Sequence, residues 1–193
     1  MSASAATIQL ILTANPLERA EGEVAVAGFF TDERPLRGGA ARADWRLCGG
    51  LSRRIESGDL SGKSGEALLI GCGRALRAPR LMLLGLGDRH AFDQLRVSDE
   101  TRAAVERCAR LRCDRVALAP LGIAPDDVPR HAAALLAGIR DGWREAAGRS
   151  LGLRLCVPRS EIATVRRSLE AAAVAAGAAE VAVSVPDAEL DPR

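Results

Sequence analysis

Short apolar runs alternate along this chain with longer stretches of helical periodicity, and most of the stretches end on a glycine. Strands separated by helices cannot pair as tight hairpins. Each must cross over to a parallel neighbour, and parallel strands persist only in a sheet covered on both faces. The alternation therefore predicts an α/β fold: a three-layer α/β/α sandwich whose mixed sheet, largely parallel in its second half, carries helices on both faces. The 193 residues suit one core, and no linker or solenoid repeat divides them. The expectation is a single domain over residues 1–193 with its core at about 8–185.

The units read off in order. Ile8 to Leu12 and Val24 to Phe30 are strands, closed by Asn15-Pro16 and by the turn from Asp32 to Pro35. Leu47, Leu51 and Ile55 recur at helical spacing and predict one helix from Asp44 to Glu56, stopped by Gly58. Ala67 to Ile70 and Leu81 to Leu84 are strands, the second emptying into Gly85-Leu86-Gly87-Asp88. Ser98 is placed to cap a helix with an inward stripe of Ala104, Val105, Cys108 and Leu111. Arg115 to Ala119 is a strand. Asp126 and Asp127 open a helix lined by Ala132, Leu135, Leu136, Ile139, Trp143 and Ala146, which Gly148 closes. A strand through Leu153, Leu155 and Val157 precedes a helix capped by Ser160 and stopped by Gly177. Val181, Val183 and Val185 form a last strand before a polar tail from Pro186.

Composition removes several classes of function. No apolar run approaches the roughly 18 residues that cross a bilayer, and no basic segment precedes an apolar leader, so neither a membrane association nor secretion is expected and the cytoplasm is. The five cysteines are odd in number and include no C-x-x-C pair, which reads as buried thiols in a reducing compartment. A net charge of +2 with acids and bases interleaved leaves no basic face, and tyrosine is absent; a nucleic-acid partner is not expected.

Two glycine motifs carry a resemblance. The core G-D-L-S-G-K-S-G-E-A-L-L-I, Gly58 to Ile70, and the continuation R-L-M-L-L-G-L-G-D-R, Arg80 to Arg89, resemble the N-terminal domain of M17 leucyl aminopeptidases, the cytosol aminopeptidases. In that family a "G-D-F-x-G-K-x-G-E" segment precedes a strand and a second strand ends in "V-G-L-G-K". The run Val24 to Phe30 with its acidic turn and the helix from Val128 to Trp143 are similar too, so the likeness spans about residues 8 to 157. It implies a macro-domain-like fold. The family's catalytic half binds two metal ions through motifs resembling "N-T-D-A-E-G-R" and "G-K-G-x-T-F-D-S-G-G", and neither occurs here. No catalytic residue, metal ligand or cofactor carries over, since Lys63 matches a position in the N-terminal half. The resemblance thus implies a non-catalytic domain without the peptidase half, regulatory or assembly-related. Its expected partners are a second copy of itself or a separate M17 catalytic subunit. The alternative is a macro-like module binding a nucleotide or ADP-ribose.

Within that alternative the ligand-binding candidates are Gly85, Gly87, Asp88 and Arg89. Glycines after a strand let backbone N–H groups approach a phosphate. Against it, the third glycine of a dinucleotide motif is missing, Asp88 would repel phosphate, and a structural turn is the plainer reading. A macro-type site with an asparagine-rich loop is not evident, because Asn15 is the one asparagine. Gly62-Lys63-Ser64-Gly65 leads into a strand and reads as a β-turn. His90 and His131 stand apart from each other and from the cysteines, and Ser52, Ser57 and Ser64 lie in no G-x-S-x-G elbow. The arginines from Arg34 to Arg54 read as a solvated helix face and loop.

Overall fold

The computed structural model describes residues 7–146 and 148–186; beyond Pro186 the expected polar tail lies outside the described residues. Among these, seven strands make one sheet: β1 (Ile8–Thr13), β2 (Val24–Phe29), β3 (Ala67–Gly71), β4 (Arg80–Gly85), β5 (Arg115–Leu118), β6 (Leu151–Cys156) and β7 (Val181–Ser184). Their spatial order is β3-β4-β2-β5-β6-β1-β7. β3 runs antiparallel to β4, and every other pairing is parallel. The mixed sheet read from the sequence is present, with one reversed strand at its edge.

Among the described residues five α-helices cover the sheet: α1 (Gly38–Arg46), α2 (Gly50–Glu56), α3 (Gln94–Arg110), α4 (Ala132–Trp143) and α5 (Ile162–Ala175). Alternate residues of the central strand β2 serve two cores. Val24 and Val26 join the core beneath α3, α4 and α5, whereas Ala25, Ala27 and Phe29 join the core beneath α1 and α2. A strand buried on both faces must be apolar throughout, which is why β2, β4 and β5 read as continuous runs. Each fully buried leucine or valine there contributes roughly 1.5–3 kcal/mol over an exposed one. On the α1 face β1 and β7 are less covered, since Gln9, Ala182 and Ser184 remain exposed.

Two small-residue contacts set the helix positions. A Cβ on Gly138 would lie 2.5 Å from the Ser98 carbonyl oxygen, and one on Gly142 would lie 2.5 Å from that of Arg102. These glycines, one turn apart, let α4 rest directly on the α3 backbone. On the other face a Cβ on Gly39 would lie 2.6 Å from Ala119 Cβ, so the start of α1 sits hard against the sheet.

Four helix boundaries differ from the sequence reading. The single helix expected from Asp44 to Glu56 is two, broken at Leu47 to Gly49. Gly49 has φ +76°, and the Asp44 carboxylate accepts from the amides of Leu51 (2.8 Å) and Ser52 (3.1 Å) and from Ser52 Oγ (2.5 Å). Asp44 lies inside α1, and its carboxylate reaches across the break to hold the first amides of the second helix. Ser98 does not cap α3. Asp93 does, accepting from Arg96 N at 2.9 Å, an interaction worth about 1 kcal/mol. Asp126 and Asp127 lie in a 3-10 segment, Pro125–His131, that contains Pro129 and precedes α4. Ser160 likewise lies in a 3-10 turn, Arg159–Glu161, and α5 starts from Glu161 without a side-chain cap.

The thiols also divide. Cys72, Cys108 and Cys113 are buried as expected, but Cys156 is partly buried and Cys48 is exposed in the α1–α2 break. Burial pushes the Cys108 thiol up to about 12.

Candidate functional site

The glycine turn after β4 is bonded inward. Gly85 N donates to Glu66 O (3.0 Å), Leu86 N to Phe29 O (2.9 Å) and Gly87 N to Gly62 O (2.8 Å). Gly87 O accepts from Thr31 N and Thr31 Oγ1 at 2.9 and 3.2 Å. A Cβ on Gly85 would lie 2.2 Å from Lys63 O, and Gly87 has φ +80°. Gly85 must be glycine because the loop from Ser61 to Gly65 lies against it, and Gly87 because its φ is left-handed. Asp88 accepts from His90 N at 2.8 Å, capping the 3-10 turn Arg89–Ala91. The amides of Gly85, Leu86 and Gly87 are thus spent within the protein, and no phosphate cradle forms from them.

The opposing loop is held by its own carboxylate. Glu66 accepts from Ser61 Oγ (2.7 Å), Ser61 N (2.8 Å) and Gly62 N (2.8 Å). Chiefly the Ser61 hydroxyl, then these amides, hold the Glu66 carboxyl below its ordinary range. Glu66 N donates to Lys63 O at 3.1 Å, the bond of a β-turn over residues 63 to 66. Ser64 Oγ donates to the buried Glu100 carboxylate at 2.5 Å, so this loop fastens the turn to α3.

Arg89 leaves this region and faces a crevice. The crevice lies beyond the C-terminal ends of the parallel strands, where the connections after β2 and β5 face each other; ligands of open α/β sheets collect at such places. It has two adjoining cavities of about 250 and 350 Å³ that share Gly38, Gly39, Ala119, Pro120, Ile123 and Pro125. Leu17 and Val157 line the larger one, and Glu33, Arg37 and Arg89 the smaller. α1 points its N-terminus here. Ala41 N bonds Arg37 O at 3.1 Å and Arg37 supplies no side-chain cap, so the amides before Ala41 have no carbonyl within the helix to bond. Free amides at the positive end of a helix attract anions.

The polar wall is ordered by aromatic rings. Glu33, 7% exposed, accepts through Oε2 from Arg89 (2.8 Å) and from Phe30 N (3.4 Å). The Arg89 guanidinium lies 4.3 Å from the Phe30 ring centroid, and Phe92 meets Phe30 edge-on at 5.0 Å. Gly122 has φ +67°, and a Cβ there would lie 2.5 Å from Phe92 Cε1, so the ring fixes the β5–α4 connection. Of the four sequence candidates, Arg89 lines the crevice; Gly85, Gly87 and Asp88 shape the turn that delivers it. The residues that sequence reasoning passed over are Glu33, Arg37, Gly38, Gly39 and the Pro120 to Pro125 segment. The Gly-Gly pair at a helix start, shortly after the acidic turn that closes β2, was the available signal.

Elsewhere in the 34 to 54 segment three arginines bond main-chain carbonyls, Arg34 to Glu33 O, Arg46 to Ala75 O and Arg53 to Cys48 O, and two pair with carboxylates, Arg42 with Glu18 and Arg54 with Asp59. A pair of divalent ions about 3.5–4 Å apart needs several converging carboxylates. Among the described residues no group of three or more His, Cys, Asp and Glu is placed to hold a metal ion, so they do not fit such a pair. Nor is any helix among them long and apolar enough to cross a membrane.

Comparison with known proteins follows the same lines. Residues 26–144 match the model for the N-terminal domain of the cytosol aminopeptidase family. The probable cytosol aminopeptidase of Paraburkholderia phytofirmans is 38% identical over 79 residues, 41% of this chain and 15% of that protein. The one of Nitrosococcus oceani is 28% identical over 116 residues, 60% of this chain and 23% of that protein. The chain therefore matches these relatives over only 15–23% of their length. Among solved structures, a mutant of tomato leucine aminopeptidase superposes with a TM-score of 0.66 at 18% identity, over 89% of this chain and 36% of its own. The Trypanosoma brucei macrodomain in complex with ADP-ribose gives 0.63 at 16% identity, over 80% and 67%. At such identities these two likenesses concern the fold.

Proposed function

The chain belongs to the cytosol aminopeptidase family through that family's N-terminal domain, and from this premise we propose that it is a non-catalytic accessory domain, regulating or helping to assemble a metallo-aminopeptidase module in the cytoplasm. The observation that carries the reading is the match itself: it falls on the N-terminal domain, in a chain whose described residues hold no cluster suited to a metal pair. Light scattering of the purified chain, alone and mixed with a catalytic module of the family, tests it. A defined complex or homo-oligomer is expected; a strict monomer that ignores every such module overturns assembly. Leucine p-nitroanilide with added manganese or zinc should not be cleaved by the chain, and hydrolysis that tracks the pure protein overturns the non-catalytic reading.

A second reading concerns the crevice, and its geometry favours it: free helix-start amides and two arginines converge on a concave site at the strand ends. We propose that it binds a small phosphate-bearing molecule of the nucleotide or ADP-ribose class. The ADP-ribose-bound macrodomain of the same fold supports the choice of class. A ligand at 100 times its Kd raises stability by about 2.7 kcal/mol, which thermal denaturation detects. No shift with ADP-ribose or ADP at millimolar concentration removes this reading and leaves the accessory one standing.

A further inference from the structure

We propose that Glu33 makes the crevice select a hydroxylated phosphate, a sugar phosphate, over bare phosphate or pyrophosphate; the proposal rests on the crevice reading above. Glu33 is 7% exposed, and a carboxylate so deep needs compensation for both oxygens. Oε2 has it, from Arg89 at 2.8 Å and Phe30 N at 3.4 Å. Oε1 accepts no hydrogen bond from the described residues, yet it is not a sealed atom, and Glu33 lines the smaller cavity. A carboxylate oxygen therefore stands ready in the crevice wall to accept from a ligand.

Arg89 cannot turn away to satisfy it. Its guanidinium is pinned against the Phe30 ring at 4.3 Å, with Phe92 behind, and its side chain is 42% exposed. One edge of the fork holds Glu33 and the remainder is left for a ligand. The pair is neutral overall and offers an acceptor beside a donor, which matches neighbouring sugar hydroxyls and repels a second anion at the same place. Positive potential instead gathers at Arg37 and the start of α1, by Gly38 and Gly39, where the two cavities meet. A phosphate is directed to that junction and a hydroxylated group to Glu33. The volume of about 250 Å³ accommodates a group of that size.

Calorimetric titration of the full chain with ribose 5-phosphate, inorganic phosphate and inorganic pyrophosphate tests this. The expected result is ribose 5-phosphate binding at least tenfold more tightly than inorganic phosphate. The isosteric Glu33→Gln variant should narrow that ratio to about twofold, by weakening the sugar phosphate and strengthening the bare anions. If the wild-type protein binds all three alike, or Glu33→Gln leaves the ratio unchanged, Glu33 is not the selector although the crevice still binds phosphate. If none of the three, nor ADP-ribose, binds the wild-type protein, the crevice reading falls with the proposal. Comparing ribose 5-phosphate with its 2-deoxy analogue on the wild-type protein gives a readout that no variant has to fold for; equal affinity counts against the proposal.

Discussion

Two places in this molecule put glycine between a strand and a helix, and they have opposite fates. After β4, the amides of Gly85, Leu86 and Gly87 all bond to carbonyls from neighbouring segments. After β2, Gly38 and Gly39 open α1 with the first amides of the helix unpaired, facing a cavity. The same residue type at the same kind of junction becomes a structural clasp in one case and a receptive surface in the other. What separates them is whether carbonyls reach the amides first: Glu66, Phe29 and Gly62 supply them at the first place, whereas at the second Gly39 packs against the Ala119 and Leu17 side chains, which accept no hydrogen bond.

That contrast breaks if substitutions at the two places behave alike. The largest effect is expected at the clasp. Gly85→Ala drives a methyl to within 2.2 Å of Lys63 O and should cost about 3 kcal/mol in urea denaturation, at the upper end for overpacking. Next, Glu66→Ala removes three hydrogen bonds to one carboxylate and should cost about 2 kcal/mol. Because Glu66 has its carboxyl depressed in the folded protein, its contribution is present at neutral pH and is lost as pH falls through the carboxylate range. An acid titration of stability in which Glu66→Ala lacks that part of the slope sharpens the point.

At the crevice the order of effects inverts. Arg37→Ala should change stability by less than about 0.5 kcal/mol, as for exposed side chains generally, while weakening a phosphate ligand about fivefold in calorimetry. The smallest effect concerns a residue of α3 that is part of neither place. Cys108, its thiol raised from 9.0 to about 12 by burial, holds its proton in the folded state when the unfolded chain has lost it. Stability from this group is complete below pH 9 and declines as pH rises from there towards 12. Thiol-reactive dyes at pH 8 should accordingly label exposed Cys48 and spare Cys108 until the chain unfolds.

The strands were legible because central parallel strands are apolar on both faces, so Val24 to Phe29 and Leu81 to Leu84 announce themselves. Helix starts were not. Asp93, Ser98, Ser160 and Asp126 are all cap-type residues, and periodicity ranks none above another; only the amide that each can reach decides. The break at Cys48 and Gly49 was hidden because Leu47, Leu51 and Ile55 keep helical spacing across it, and Leu51 and Ile55 are buried on the far side. The crevice was illegible for a different reason. Its walls come from the Glu33 to Gly39 and Ala119 to Pro125 segments, about eighty residues apart, and join only when β2 and β5 pair. Arg89 was found by its neighbours, for a cradle that the folded chain uses up.

The bare contact of α4 on α3 at Gly138 and Gly142 couples these helices into one stiff beam. Neither can slide without driving carbonyl oxygens into Cα atoms, so the Pro120 to His131 stretch hangs from an anchored end. Phe92 holds that stretch from the other side at Gly122, so an incoming molecule meets a preformed wall, and amide hydrogen exchange should be slow along α3 and α4.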